Sequence, residues 1–410
     1  MSIDIRINEE RFKSNFEMAS TFGATNGDGL NRPTFSDDHL AVRVWFKELV
    51  EKNGLRFKTD EAGNHSGILA SASSSGRSLI IGSHLDSVPF GGRFDGNLGV
   101  MIALEVAQTI KDHHIELPFD LEVMDFTDEE GTYLPLWGSR AICGKLGEHE
   151  VSNAFEDPSL LNKAGIDAKQ VLLAKRDEES LAGYMEVHIE QGIRLEDSKT
   201  DIGVVSSITG IGRYYVSFLG MANHAGTTPM DKRKDASLGG AAFILASQRI
   251  LVEEFPGCVC NTGNADFTPT AFNVIPNECK VWLEYRAPDM ELMESLEKRL
   301  LTEAGQIAET YNLELNLQKV EMVQPVPMTQ DVQEAFTEAC TDLGYSHKFL
   351  TSGAGHDAQS FHGLCSTGMI FIPSVGGYSH SDKEFSDWKD CVQGANTLLH
   401  AVLNMANLDI

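Results

Sequence analysis

The sequence predicts an α/β protein: a mixed, largely parallel sheet flanked by helices, with a smaller α+β domain inserted into it. Three observations carry that expectation. Apolar strand-like runs alternate with helical stretches through the first half of the chain, the pattern of a parallel sheet covered by helices. Near Gly210 the pattern changes, and it returns after Gln324-Pro325-Val326-Pro327. Histidines and carboxylates fall just after strand-like runs, where open α/β sheets hold their ligands. The domains expected are 1–209 together with 326–410, and an insert over 210–325.

In order along the chain, residues 8–53 read as helices around a loop rich in glycine, asparagine and aspartate near 23–31. Ser78–His84 is an apolar strand, Gly99–Lys111 an amphipathic helix and Leu121–Thr127 a second strand. In the insert, Arg213–Leu219 and Lys280–Arg286 alternate with the period of a strand, while Asp235–Glu254 and Glu291–Glu309 are helical. Leu313–Val320 reads as a further strand, and Gln393–Ala406 as a terminal helix. Between them lie the glycine-rich loops Ser352-Gly353-Ala354-Gly355-His356-Asp357 and Pro373-Ser374-Val375-Gly376-Gly377.

Composition excludes several functions. The 410 residues are 42% hydrophobic and include 37 glycines, which suits a globular chain of two or three domains. With 33 basic against 60 acidic residues the net charge is −27, which repels phosphate backbones and anionic lipid, so neither nucleic acid nor membrane is expected as a partner. An anionic substrate would need local positive charge, from metals or a placed arginine. The apolar stretches at 100–106 and 239–246 are too short or too interrupted to span a bilayer. Met1-Ser2-Ile3-Asp4-Ile5-Arg6 lacks the pattern of a secretory signal. Seven scattered cysteines suit reduced thiols, so a cytoplasmic protein is expected.

Five potential metal ligands punctuate the chain: His84, Asp95, Glu130, His188 and His380. Singly, each has an ordinary reading: a strand-end histidine, a turn aspartate, a solvated acidic turn. Together, imidazoles and carboxylates without a thiolate form the ligand set of a two-metal hydrolytic site. Asp86 shares a strand face with His84 and could orient its ring by accepting the other N–H. Asp95, among glycines, is the candidate to bridge two cations. Glu129 and Glu130 are adjacent carboxylates that repel unless cations or a proton intervene. Glu130 is assigned to the metal and Glu129 to the proton.

Gly82-Ser83-His84-Leu85-Asp86-Ser87-Val88-Pro89, Gly91-Gly92-Arg93-Phe94-Asp95-Gly96, Glu129-Glu130-Gly131 and His188-Ile189-Glu190-Gln191-Gly192 form a recognisable series. Asn223-His224-Ala225-Gly226-Thr227-Thr228-Pro229, Asn273-Val274-Ile275-Pro276, Gly353-Ala354-Gly355-His356-Asp357 and Ser379-His380-Ser381 continue it. Over nearly its whole length the chain thereby resembles the hydantoinase/carbamoylase branch of the binuclear zinc metallopeptidase superfamily. That resemblance implies a metallopeptidase-like fold whose insert is a lid and dimerisation domain. It implies two divalent ions per subunit (zinc, or manganese, cobalt or nickel), one on His84, Asp95 and His188, the other on Asp95, Glu130 and His380. Glu129 would be the general base, supported by Asp86. Gln191, His224, Asn273, Arg286, Gly355 and His356 would hold the substrate, with His224 and His356 also stabilising the transition state. Arg286 suits a carboxylate because its guanidinium binds one bidentately. The implied activity is hydrolysis of an N-carbamoyl-L-amino acid, a small ureido carboxylate, by a homodimer. Allantoate amidohydrolase and β-ureidopropionase are the near alternatives, and a metallo-aminopeptidase or N-acyl amino acid deacylase the more distant one. A metal-free binding scaffold would lack any use for Glu129. In one place the chain departs from the family's pattern: Thr132-Tyr133-Leu134 stands where Ser-Arg-Phe is usual, which puts the substrate side-chain preference in doubt.

Overall fold

Thirteen strands organise the computed structural model, which describes residues 5–154 and 159–407. The first six are β1 (Arg56–Thr59), β2 (His65–Leu69), β3 (Ser78–His84), β4 (Asp120–Phe126), β5 (Leu181–Ile189) and β6 (Ile202–Ile208). Next come β7 (Gly210–Leu219), β8 (Val259–Thr268), β9 (Glu278–Ala287) and β10 (Glu314–Val323). The last three are β11 (Val326–Pro327), β12 (His347–Ser352) and β13 (Thr367–Ile372). By contacts the chain divides into two units: Met1–Ser206 with Met328–Leu350 and Gly355–Ile410, and Ser207–Pro327 with Thr351–Ala354.

The larger sheet runs β1-β2-β4-β3-β5-β13-β6-β11, with β12 beside β6. Its centre is parallel: β3 pairs β4 and β5, and β5 pairs β13. The flanking pairings β1–β2, β2–β4, β6–β13 and β6–β11 are antiparallel. Parallel strands covered on both faces read as continuous apolar runs, and Leu79-Ile80-Ile81 and Met369-Ile370-Phe371-Ile372 are buried throughout. The helix Asn97–Asp112 is buried on nearly every side rather than amphipathic: it packs on β3, while helices Glu9–Ala19 and Trp388–Met405 cover its other side. Its buried Glu105 is satisfied by Arg11 at 2.7 Å and by the Asn8 N–H at 2.9 Å. Each fully buried leucine or isoleucine contributes roughly 1.5–3 kcal/mol relative to exposure.

Helix Asp37–Lys52 begins at Ser36, whose hydroxyl accepts the His39 N–H at 3.2 Å. Its Arg43 reaches Asp125 at the end of β4, Nε to Oδ2 2.8 Å, with both side chains buried. The other Asp125 oxygen accepts the Leu85 N–H at 2.9 Å. One buried ion pair thus ties a helix to the ends of β3 and β4.

The second unit holds an antiparallel sheet in the order β10-β7-β9-β8. Cys279, Val281, Leu283 and Tyr285 of β9 point into a core with helices Ala236–Glu254 and Met290–Thr310. Lys280, Trp282, Glu284 and Arg286 occupy the opposite face, as the period of two requires. Among the described residues no helix is long and apolar enough to cross a membrane.

Candidate metal centre and active site

Strand register assembles the site. Ile81 pairs Met185, and three residues further on His84 and His188 end neighbouring parallel strands, their rings stacked at 6.2 Å. His84 itself pairs Phe126, so the Glu129-Glu130 turn emerges beside it. Phe371 of β13 pairs His188, which sends the following loop with His380 to the same edge. All five candidate ligands therefore gather at the carboxyl ends of four parallel strands, the position the α/β rule assigns to ligands.

Asp95 is the hub. Its Oδ1 lies 3.0 Å from His188 Nε2 and 3.5 Å from His84 Nε2, and its Oδ2 lies 3.4 Å from His380 Nε2. Glu130 Oε2 stands 3.5 Å from the same His380 nitrogen. Two groupings result, His84–Asp95–His188 and Asp95–Glu130–His380, sharing one carboxylate that offers each a separate oxygen. Gly96 makes room: at φ 62 it adopts a left-handed turn, and a Cβ there would stand 2.3 Å from the His84 ring.

The tautomers test whether cations fit. His84 Nδ1 lies 3.0 Å from the Asp86 carbonyl, and His188 Nδ1 lies 2.9 Å from the Ile189 carbonyl. Each Nδ1 therefore carries a proton, so Nε2 faces Asp95 either with a neutral ring's lone pair or, with no cation between them, as the N–H of the charged ring that the surrounding carboxylates favour. A positive charge, proton or metal ion, must lie between each nitrogen and the carboxylate. His84 Nε2 is buried without a hydrogen-bond partner, as is Asp86 Oδ1. A bound divalent ion would meet this need at both groupings, and the donors, imidazole nitrogen and carboxylate oxygen, suit zinc, manganese, cobalt or nickel.

Electrostatics agree. Burial, with Asp357, Glu130 and Asp95 nearby, pushes the Glu129 carboxyl well above its usual range against the pull of His84. Burial and then Asp95 push Glu130 up to about 7. Despite burial, Asp95 is held well below the usual range by His188, His380 and His84. Hydrogen bonding to Asp95 lifts His380 to about 9. This many buried acids in one place is the signature of a functional site. Glu129 Oε2 lies 3.5 Å from His84 Nε2, within the site but outside both groupings.

Asp86 holds its neighbours differently from the sequence reading. It is the main-chain carbonyl, not the carboxylate, that fixes the His84 ring. The carboxylate oxygen Oδ2 accepts the Glu130 N–H at 3.2 Å and the Thr34 hydroxyl at 3.0 Å. Gln191, at φ 55, donates its amide to Asp95 Oδ2 at 2.8 Å and to Ser379 Oγ at 3.0 Å. His356, directly after Gly355, is buried with its ring 4.5 Å from that of His188. It also completes a third grouping with Glu186 and His188.

His224, Asn273 and Arg286 belong to the second unit. The Asn273 carbonyl accepts the Ala225 N–H at 2.9 Å, which sets that residue beside the exposed His224. His224 Nδ1 accepts the Gly226 N–H at 3.1 Å, so in the neutral ring Nε2 is the donor. Arg286 bonds Glu284 Oε1 through Nε at 2.9 Å and Nη2 at 2.7 Å, and the Gly353 carbonyl through Nη1.

Five site residues escaped the sequence reading: Glu186, Asp357, Ser379, Glu384 and Asp128. Ser379 and Asp357 sat inside quoted motifs, but Glu186 and Glu384 are isolated acids in an acidic chain and nothing in their spacing marks them. Asp128 sits at φ 56, and its carboxylate accepts the N–H groups of Thr132, Tyr133 and Leu134 at 2.8, 3.0 and 2.7 Å. It fixes the segment that departs from the expected Ser-Arg-Phe, and Tyr133 there stacks on Phe35 at 5.7 Å.

Residues 80–404 match the model of peptidase family M20/M25/M40. The chain belongs to that family. Within M20 it falls in the hydantoinase/carbamoylase amidase branch. It is 33% identical over 390 residues to the N-carbamoyl-L-amino acid amidohydrolase of Geobacillus stearothermophilus, covering 94% of this chain and 95% of that one. It is 30% identical over 396 residues to the allantoate amidohydrolase of Escherichia coli, with 94% and 95% covered. The crystal structure of a hydantoinase/carbamoylase family amidase from Burkholderia multivorans superposes with a TM-score of 0.90 at 30% identity, covering both chains fully. The larger sheet with its separate four-stranded antiparallel unit is accordingly an M20 architecture.

Proposed function

We propose that this M20 chain is a metal-dependent amidohydrolase that cleaves the ureido C–N bond of an N-carbamoyl-L-amino acid. The observation that carries the reading is the shared carboxylate of Asp95 between two ligand groupings, with Glu129 beside them and outside both. Similarity to the Geobacillus relative supports the substrate class. His84, Asp95 and His188 would hold one divalent ion, and Asp95, Glu130 and His380 the other. When bound, such ions polarise the ureido oxygen and make water more acidic, which a carbon fed by two nitrogens requires.

The chain's own residues do the rest. Glu129 takes a proton from the attacking water and returns it to the departing nitrogen. Asp86 fixes the Glu130 backbone and, through its carbonyl, the His84 ring. Gln191, Gly355 and His356 would line the substrate. His224, His356 and Asn273 would hold the transition state's oxygen through donated hydrogen bonds, and Arg286 would grip the carboxylate. One water and one N-carbamoyl amino acid give the free amino acid, ammonia and carbon dioxide.

Allantoate is the second reading, favoured by the Escherichia coli relative at 30% identity. Tyr133, where the family usually has arginine, is the side chain that makes the preference open. Ammonia release from a panel of N-carbamoyl-L-amino acids, β-ureidopropionate, allantoate, dipeptides and N-acyl amino acids tests the proposal. Turnover of carbamoyl amino acids is expected. Cleavage of peptides or acyl amino acids alone would contradict the ureido reading. In Arg286→Ala, the preference for a free carboxylate over its amide should disappear.

A further inference from the structure

Glu384 lies outside both ligand groupings, yet it touches the segments that supply them. Its side chain is buried, 2% exposed. Oε1 accepts two main-chain N–H groups, from Phe94 at 2.9 Å and from Asp95 itself at 3.0 Å. Oε2 lies 3.0 Å from the hydroxyl of Ser379, the residue before His380. That hydroxyl is also 3.2 Å from Asp95 Oδ2. One carboxylate therefore fastens the loop after β3 to the loop after β13 at the two points where their candidate ligands leave the backbone.

Two further features show that the chain is shaped around this contact. Gly92 is the space for it: a Cβ there would stand 2.0 Å from Glu384 Cδ and Oε1. His380 sits at φ 52, a left-handed conformation uncommon for a residue that carries a side chain. The Ser379–Glu384 link holds the residue next to it.

We propose that Glu384 is a positioning residue that clasps Asp95 to the His380 loop and so sets the affinity of the Asp95–Glu130–His380 grouping for a divalent cation. The inference rests on the two-cation reading above. The clasp works through acceptor geometry: one oxygen takes both backbone N–H groups and the other meets the serine. Glutamine of the same length keeps the first oxygen. Its amide N–H can donate to Ser379 Oγ, whose own proton then turns to Asp95.

The test is a titration of the metal-free full chain with manganese or zinc against a chelating indicator, reading equivalents bound and the affinity of each. The parent should take two equivalents. E384A should weaken one of them roughly 10–100-fold, the usual cost of removing a group that orients a ligand, and leave the other within about threefold. E384Q should keep both within about threefold of the parent. If E384A does not fold, G92A replaces it, because it leaves the carboxylate in the chain and drives it from its seat; the same selective loss is expected. Parent affinities in E384A or G92A would overturn the clasp, as would an E384Q no tighter than E384A. A parent that binds no metal would overturn the two-cation reading itself, a result the variants cannot mimic.

Discussion

Glu129 and Glu130 show how much one position decides. Neighbours in sequence, they face different atoms: Glu130 Oε2 looks to His380, while Glu129 Oε2 looks to His84 from outside the ligand groupings. The sequence reading divided them into base and ligand by the repulsion of adjacent carboxylates, and the structure places them on separate atoms. Glu129→Gln preserves shape and removes the proton acceptor. It should retain both metal equivalents by elemental analysis while turnover falls roughly 10²–10⁴-fold, the usual contribution of a general base. Turnover near that of the parent would move the base to another residue. What residue-level reading could not supply was the tautomer: the acceptor for each ring N–H is a main-chain carbonyl, which no side-chain spacing reveals.

At the scale of elements, several strands with a strong apolar pattern were legible, while β5, β6 and β13, as apolar and as buried, were not read. β3, β4, β7, β9 and the long helices lie where periodicity put them, within a few residues. β8 was missed because Val259 to Thr268 is a polar edge strand with no alternating apolar face to read. β1, a short and mostly exposed edge strand, was missed for the same reason. The helix Asn97–Asp112 was read as amphipathic, yet its Glu105 is buried against Arg11 of a distant helix and its Gln108 is buried and donates to Asp112 one turn on. Arg43 and Asp125 illustrate that class of contact. Removing one member of a buried pair leaves the other uncompensated, so Arg43→Ala should lower unfolding free energy by about 3–5 kcal/mol in denaturant titration of the metal-free chain. Because Asp125 also holds the Leu85 N–H beside His84, metal affinity should weaken in the same variant. A loss below about 1 kcal/mol would mean that the pair is solvated in the folded protein.

The whole molecule is an M20 chain whose second unit presents an unusual surface for a protein of net charge −27. Leu238, Leu245 and Val252 stand exposed seven residues apart on helix Ala236–Glu254, and β8 is the free edge of its sheet. We propose that this apolar stripe, with a strand edge that pairs with no other strand among the described residues, is a surface for a second copy of this chain. We expect twice the chain mass by light scattering, and a monomer for Leu245→Glu combined with Val252→Glu. A monomeric parent, or a dimer that survives both changes, would rule out this face. In the function proposed here, two cations on a shared aspartate drive the hydrolysis. Its most direct test is ammonia release from the best carbamoyl substrate, followed as manganese is added stepwise to chelator-treated protein. No turnover is expected without metal, and a rise that levels off at two equivalents per chain. Full turnover in metal-free protein would contradict it.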